Sequence, residues 1–558
     1  MNRIINDYCE KIEFETYEEL KRDFRINVPD SFNFGYDIVD RWAKEEPGKL
    51  ALVWTDDTEQ VKSYTFDDVR RYSDMAANFF KAKGIKKGDV VMLILKQRPE
   101  VWFSIVGLCK LGAVCIPASY QLTKKDLVYR CNIADVKMMV SVSDPEVVGN
   151  IKAALPECGT VQSVYTLGAQ KYDGDGFFDF ERELYAADDN WIRPRGEDAP
   201  TNDDMMLIYF SSGTTGMPKM VRHDFAFPLG HIITAKYWQQ VEENTIHMTQ
   251  SDSGWAKFAW GKIYGQWICG AAIGAYDTDK FQTVPMLRAI TRLKPTTFCA
   301  PATIFRFLIK EDLSAYDFSF IRCASMAGEP LNPEVYKQIH QKTGMELREG
   351  FGQSETPVML ANYKYFDVRP GSMGKPSPIF DIDLADENGN PCEDGIVGSI
   401  VIKNAGVKGP VGLFRGYYKD KEVTEKCWHD GVYNTGDMAW RDAEGYYWFV
   451  GRSDDVIKCS GYRIGPFEVE SALLEHPSVL ECAVTAAPDP MRGQVVKATI
   501  VLAKGFDPSD ELKKELQNHV KKVTAPYKYP RLIDFVAELP KTTSGKIQRN
   551  VIRRGGRP

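Results

Sequence analysis

"SSGTTGMPK", residues 211–219, decides how this chain is read. It holds four hydroxyls, two glycines and a proline, and it ends on Lys219. The stretch before it, "MMLIYF" (205–210), is apolar enough for a buried strand. Small polar clusters also serve as ordinary connections. A loop with almost no bulk, several hydroxyl donors and one cation has a second use, as a cradle for an anion. Glycines let backbone N–H groups close on an oxyanion, and a lysine adds a point charge. The spacing is not that of the Walker loop. Gly213 and Gly216 are three apart, Pro218 precedes Lys219, and Met220 stands where Ser or Thr would hold magnesium. A nucleotide bound here calls for a different fold.

The rest of the chain narrows the choice. Its 558 residues suffice for roughly three to four domain-sized units. Hydrophobic residues at 44% and charged ones at 26% describe an ordinary globular protein. A net charge of −7, from 70 basic and 77 acidic residues, speaks against nucleic acid as a partner. The twelve cysteines are scattered without a C-x-x-C pair, which disfavours structural zinc and fits reduced thiols in a cytoplasmic setting. The charged start, "MNRIINDYCEKIEFETYEELKRDF", lacks the apolar core of a signal peptide. The longest apolar run, 101–118, contains Lys110 and two glycines and reads as a buried helix entering a strand, not a membrane span.

From residue 88 to about 142 the pattern is strand, helix, strand, helix, strand, and the alternation returns from 205 to about 350. Short apolar strands between helices predict parallel sheets covered on both faces. After residue 370, short alternating runs broken by Asn-Gly and Asp-Gly predict hairpins and a small β unit, roughly 370–450. Beyond "GRSDDVIKCSGYRIGP" (451–466) a helix, two strands and an amphipathic helix make a compact α+β unit. The division expected is a large domain over 1–453 and a small one over 454–558, with Asp454 at the junction.

Four more stretches join the opening loop. "MAGEPLNP" (326–333) turns through Gly-Glu-Pro after a strand, and "GFGQSET" (350–356) presents Gln353, Ser354 and Glu355. "YNTGD" (433–437) ends in an Asp suited to ribose hydroxyls, and "PKTTSGKIQR" (540–549) sets Lys546 in a Ser/Gly loop. Alone, each reads as a structural turn or a solvated lysine. Together and in this order, the five motifs resemble the adenylate-forming superfamily: acyl-CoA synthetases, luciferases and peptide-synthetase adenylation domains, with medium-chain acyl-CoA synthetases nearest. The resemblance covers essentially the whole chain. It implies an α/β large domain of two parallel-sheet subdomains plus a small β-barrel-like subdomain, followed by a small mobile α+β domain.

The resemblance also assigns roles. Ser211, Ser212, Gly213, Thr214, Thr215, Gly216 and Lys219 would hold the β- and γ-phosphates of ATP. Gly328, Glu329 and Pro330 would line the adenine, with Phe351 stacking nearby and Gln353 beside it. Ser354 would meet the α-phosphate, Glu355 would hold Mg2+, and Asp437 would take the ribose. Arg452 and Arg463 would contact the nucleotide, and Gly461 would border the pantetheine tunnel for coenzyme A. Lys546 would catalyse adenylation of the acid, and Asp454 would be the hinge that then withdraws it. Acetate-specific relatives carry Trp at the position of Gly352, so an open pocket floor is expected, with Trp238, Trp255 and Trp260 limiting its depth. Lys257 departs from an apolar acyl pocket and would either face solvent, the expected case, or lie desolvated with a lowered pKa. The implied activity is an AMP-forming acyl-CoA synthetase for short- to medium-chain, including branched, acids. The alternatives are an amino- or aryl-acid adenylating enzyme that loads a carrier protein and a non-catalytic nucleotide sensor. A protein acetyltransferase and deacetylase acting on Lys546 are implied partners, and a homodimer is compatible.

Overall fold

The computed structural model describes residues 4–168, 176–211, 217–406, 409–459, 462–541 and 546–555. Its β-strands form three sheets. The first runs in the order Phe177–Asp179, Ser163–Leu167, Val136–Val142, Val90–Ile94, Val114–Pro117, Met205–Ser211, Lys219–Asp224. All its pairs are parallel except the last. Val90–Ile94 and Val114–Pro117 are buried along their whole length, as strands covered on both faces must be. The helix between them, Glu100–Leu111, is buried on every side. Even its Lys110 is inside, where Asp40 and Asp74 each lie 2.6 Å from the ammonium.

The second sheet has a parallel centre: Leu347–Phe351, Cys323–Ala327, Thr297–Ala300, Ile246–Thr249, Ala272–Asp277 and Leu50–Asp56 are consecutive neighbours. The β unit expected to be barrel-like does not stand apart from it. Leu360–Ala361 and Ser372–Pro376 pair antiparallel onto the Phe351 edge, followed by Tyr447–Arg452, Val432–Arg441, Gly398–Ile402 and Ile382–Ala385. The run is open and continuous with the parallel sheet, because an unpaired edge at Phe351 is a template for further strands. The step at Gly374 needs glycine: φ is +81° and a Cβ there would stand 2.1 Å from the Ala361 carbonyl carbon.

The third sheet orders Tyr462–Ile464, Ile457–Cys459, Gly493–Leu502 and Val479–Asp489, with Leu532–Phe535 parallel to Gly493–Leu502. The helices Pro466–Leu474 and Asp510–Val523 cover it, and Ile457, Val469, Leu473, Ile500 and Leu516 share its own core. Contacts reach from it to the large unit: Phe467 lies edge-on to Phe449 at 6.4 Å, and Asn332 donates to the Ser471 carbonyl at 3.2 Å. Among the described residues no helix is long and apolar enough to cross a membrane.

Candidate functional site

The site lies where the two large sheets and the third sheet meet. Ser211 and Lys219 are register partners in an antiparallel pair, so a strand and not a helix follows the glycine-rich stretch. Ser212, Gly213, Thr214, Thr215 and Gly216 lie outside the described residues. The pair's second strand joins in turn with the segment around Tyr417, through a Val221–Tyr417 bridge. That pairing lays the Tyr417 ring under Lys219, whose Nζ is 4.9 Å from the ring centroid. The Tyr417 hydroxyl then donates to Glu355 Oε1 at 2.8 Å. Lys219 and Glu355, far apart in sequence, thus share one aromatic support.

The turn after Leu347–Phe351 is held from three sides. Gln353 donates through Nε2 to Asp437 and to the Thr435 carbonyl, the latter at 2.9 Å, and accepts from the Tyr433 hydroxyl at 2.8 Å. His223 is fully buried, and burial pulls its ring down to about 3. It is therefore neutral, and its Nε2 donates to the Ser354 carbonyl at 2.8 Å. Phe351 faces Phe449 at 6.2 Å. Sequence reading found Gln353, Ser354 and Glu355, and quoted Tyr433 only as the opening of "YNTGD" without giving it a role, while it missed Tyr417 and His223. No motif marks those two, and only contacts between segments distant in sequence make all three supports.

Asp437 is 5% exposed, and its carboxyl is raised to about 6. Burial is the main cause, Arg452, Gln353 and Lys546 oppose it, and Glu355 adds to it. Arg452 stands 3.6 Å from Asp437 and 3.7 Å from Asp454. Lys546 makes itself felt on Lys257 as well as on Asp437. Lys546 is thus near enough to act electrostatically on both groups.

Lys257 is only partly exposed. Its ammonium donates to the Ala327 carbonyl, beside Gly328 (φ +101°), and burial lowers its pKa, with Cys299 and Glu329 opposing and Lys546 assisting. The fold closes Ala327 and Gly328 over a side chain that looks surface-like in sequence. The Glu329 side chain has partners of its own. Burial pushes its carboxyl up, but Arg306 at 2.8 Å and Thr303 at 2.6 Å more than offset this, so the side chain is held by them. Pro330 follows in the same partly covered turn.

The expected open floor under Gly352 is filled. A Cβ on Gly352 would stand 2.4 Å from the Trp260 indole, and one on Gly350 would stand 2.5 Å from the Trp238 indole. The two indoles meet edge to face at 5.9 Å, and Trp238 Nε1 donates to the Arg348 carbonyl at 3.0 Å. The glycines leave room for these rings, not for ligand. Trp255 is half-buried at the start of the turn that leads to Lys257. Arg463 is not at the nucleotide residues. It pairs with Glu387 at 2.6 Å, because the short strand Tyr462–Ile464 faces the hairpin tip that carries Glu387. Asp454 accepts through its carbonyl from Arg553 at 2.9 Å, and Gly461 lies outside the described residues.

A magnesium ion fits the chemistry of Glu355, a hard carboxylate, 7% exposed, set opposite Lys219. Among the described residues no group of three or more His, Cys, Asp and Glu side chains could hold a metal alone, so phosphate oxygens would complete the shell.

The profile of the AMP-binding enzyme family matches residues 39–418, and that of the AMP-binding enzyme C-terminal domain matches 468–546. The chain is 40% identical over 550 residues to the acyl-coenzyme A synthetase ACSM3, mitochondrial, of Mus musculus, covering 97% of this chain and 93% of that protein. It is 40% identical over 536 residues to the human acyl-coenzyme A synthetase ACSM4, mitochondrial, covering 94% and 91%. The crystal structure of an anthranilate CoA ligase, AuaEII, in complex with anthranoyl-AMP, superposes with a TM-score of 0.85 at 26% identity, covering 95% and 98% of the two chains. A Brucella canis acyl-CoA synthetase does so at 0.74 and 31%, covering 97% and 99%. With both profiles matched in order and the site residues assembled around them, the chain belongs to the AMP-binding enzyme family.

Proposed function

We propose that the protein is an AMP-forming acyl-CoA synthetase that joins a short- to medium-chain carboxylic acid to coenzyme A at the expense of ATP. The observation that carries this reading is Lys546, delivered by the small unit to within electrostatic reach of both Asp437 and Lys257. A carboxylate attacking the α-phosphate of ATP brings two anions together. Lys546 offsets that repulsion and orients the carboxylate oxygen for in-line attack. Lys219 with the hydroxyls of its loop would take the charge that leaves as pyrophosphate. Mg2+ held by Glu355 would neutralise the phosphates when bound. Asp437 and Arg452 would anchor the ribose, and Phe351 would pack against the base.

The second half-reaction needs a thiol where Lys546 stands. Rotation of the small unit about Asp454 would withdraw the lysine and bring the 461 region to the site, a hinge transition in which one site serves two reactions. The Trp260 indole under Gly352 supports a shallow acyl pocket suited to about four to eight carbons. Reversible acetylation of Lys546 would remove the charge and silence the first step, and a cytoplasmic setting completes the proposal.

Lys546→Ala tests the assignment. Pyrophosphate exchange should fall by about 10²–10³, while thioester formation from supplied acyl-adenylate survives. Equal loss in both half-reactions would contradict this division, and no CoA-dependent AMP release across a panel of acids would contradict the activity itself.

A further inference from the structure

The helix Lys257–Gly261 is five residues long, too short to hold its own position. What grips its ends therefore sets the place of Lys257 and Trp260. The grip at the C-terminal end centres on Lys262, which is 0% exposed. Its N–H donates to the Phe258 carbonyl at 2.8 Å, and its own carbonyl accepts from the Trp102 indole. Its ammonium donates to Gln97 Oε1. Gly261 packs so closely on Thr249 that a Cβ would stand 2.0 Å from the hydroxyl oxygen, and the Trp260 carbonyl accepts from Gln266 at 2.9 Å.

The partners of Lys262 come from the other side of the seam between the large sheets. Gln97 follows the first-sheet strand Val90–Ile94, and Trp102 sits on the next helix. Gln97 is itself fixed, its carbonyl accepting from the Trp54 indole at 2.9 Å. Asp252 and Asp277 are the acids facing Lys262, and Asp277 already has Arg98 at 2.8 Å. Burial draws the ammonium down to about 7 against their pull. A fully buried ammonium bonded to an amide is costly where a methionine would fill similar space.

We propose that Lys262 is a positioning residue for acyl selection: through Gln97 and Trp102 it ties the helix bearing Lys257 and Trp260 to the opposite sheet and so sets the depth of the acyl pocket. This rests on the reading that Trp260 closes that pocket. Lys262→Met, measured on the full-length enzyme, should raise KM for the preferred acid about tenfold, leave KM for ATP within about twofold, and move the optimum towards longer acids. Gln97→Met, which breaks the tie with Lys262 in place, should shift the profile the same way, whereas Gln97→Glu should keep it. Combining Lys262→Met with Trp260→Ala should move the profile no further than Trp260→Ala alone. An unchanged acid profile in Lys262→Met and Gln97→Met, whatever the loss of Tm, would overturn the proposal, as would additive shifts in the double variant. Should Lys262→Met not fold, Gln97→Met decides. If Trp260→Ala itself leaves the profile unmoved, the pocket reading fails first, and that result is separate.

Discussion

At the scale of single residues, the proposed acyl pocket turns on Trp260. Its indole occupies the space that Gly352 would otherwise leave open. Each methylene that finds apolar wall gains about 0.8 kcal/mol, close to fourfold in kcat/KM, until the chain meets the ring. Trp260→Ala should therefore move the preferred acid towards longer chains, as a kcat/KM series over straight-chain acids would show. Gly352→Ala should instead destabilise the protein by about 1–3 kcal/mol, read as a drop in Tm, because its Cβ would overlap a packed ring. Asp437 adds a pH effect. Burial raises its carboxyl to about 6, so the group turns neutral as pH falls through that value. A neutral carboxyl accepts ribose hydroxyls without the help of charge. KM for ATP should rise about tenfold between roughly pH 7 and 5, and Asp437→Asn should flatten that rise while weakening ATP binding throughout.

At the scale of elements, the strand pair Met205–Ser211/Lys219–Asp224 and the segment around Tyr417 act as one scaffold. Arg415 binds Asp224 across them, and the Tyr418 N–H donates to the Met220 carbonyl at 2.8 Å. Tyr417 is where this scaffold meets the chemistry, with Lys219 over its ring and Glu355 on its hydroxyl. Tyr417→Phe keeps the ring and removes one hydrogen bond to a buried carboxylate, a loss of about 1–3 kcal/mol. Pyrophosphate exchange should fall about tenfold and the Mg2+ concentration at half-maximal rate should rise, with KM for the acid unchanged. A shift confined to the acid would place Tyr417 elsewhere in the mechanism.

At the scale of the whole molecule, the orientation of the small unit places Lys546. One tie that holds it there is ionic: Arg463 lies 2.6 Å and Lys458 3.8 Å from Glu387, all three exposed. Exposed pairs are worth little each, so the bias is small. Glu387→Lys sets like charges against each other at that seam. It should lower pyrophosphate exchange about two- to fivefold relative to thioester formation from supplied acyl-adenylate, most clearly at low salt. An unaltered ratio of the two half-reactions would mean that the pair does not influence the pose.

The sequence alone determined the parallel sheets, since strands buried on both faces must be short apolar runs such as Val90–Ile94, and it singled out Gln353, Glu355, Asp437 and Lys546, since each stands in a short motif that can be read locally. The supports and the shape of the pocket belong to tertiary structure. Tyr417 became a support through a bridge to a distant strand, and His223 through a hydrogen bond to a distant turn. Arg463 turned to Glu387 through the pose of the small unit. Gly352 read as open space because a glycine reports only its own missing side chain, and Lys257 read as exposed because its charge says nothing of what covers it. Local chemistry is written along the chain, whereas occupied volume and burial are properties of what folds back onto it.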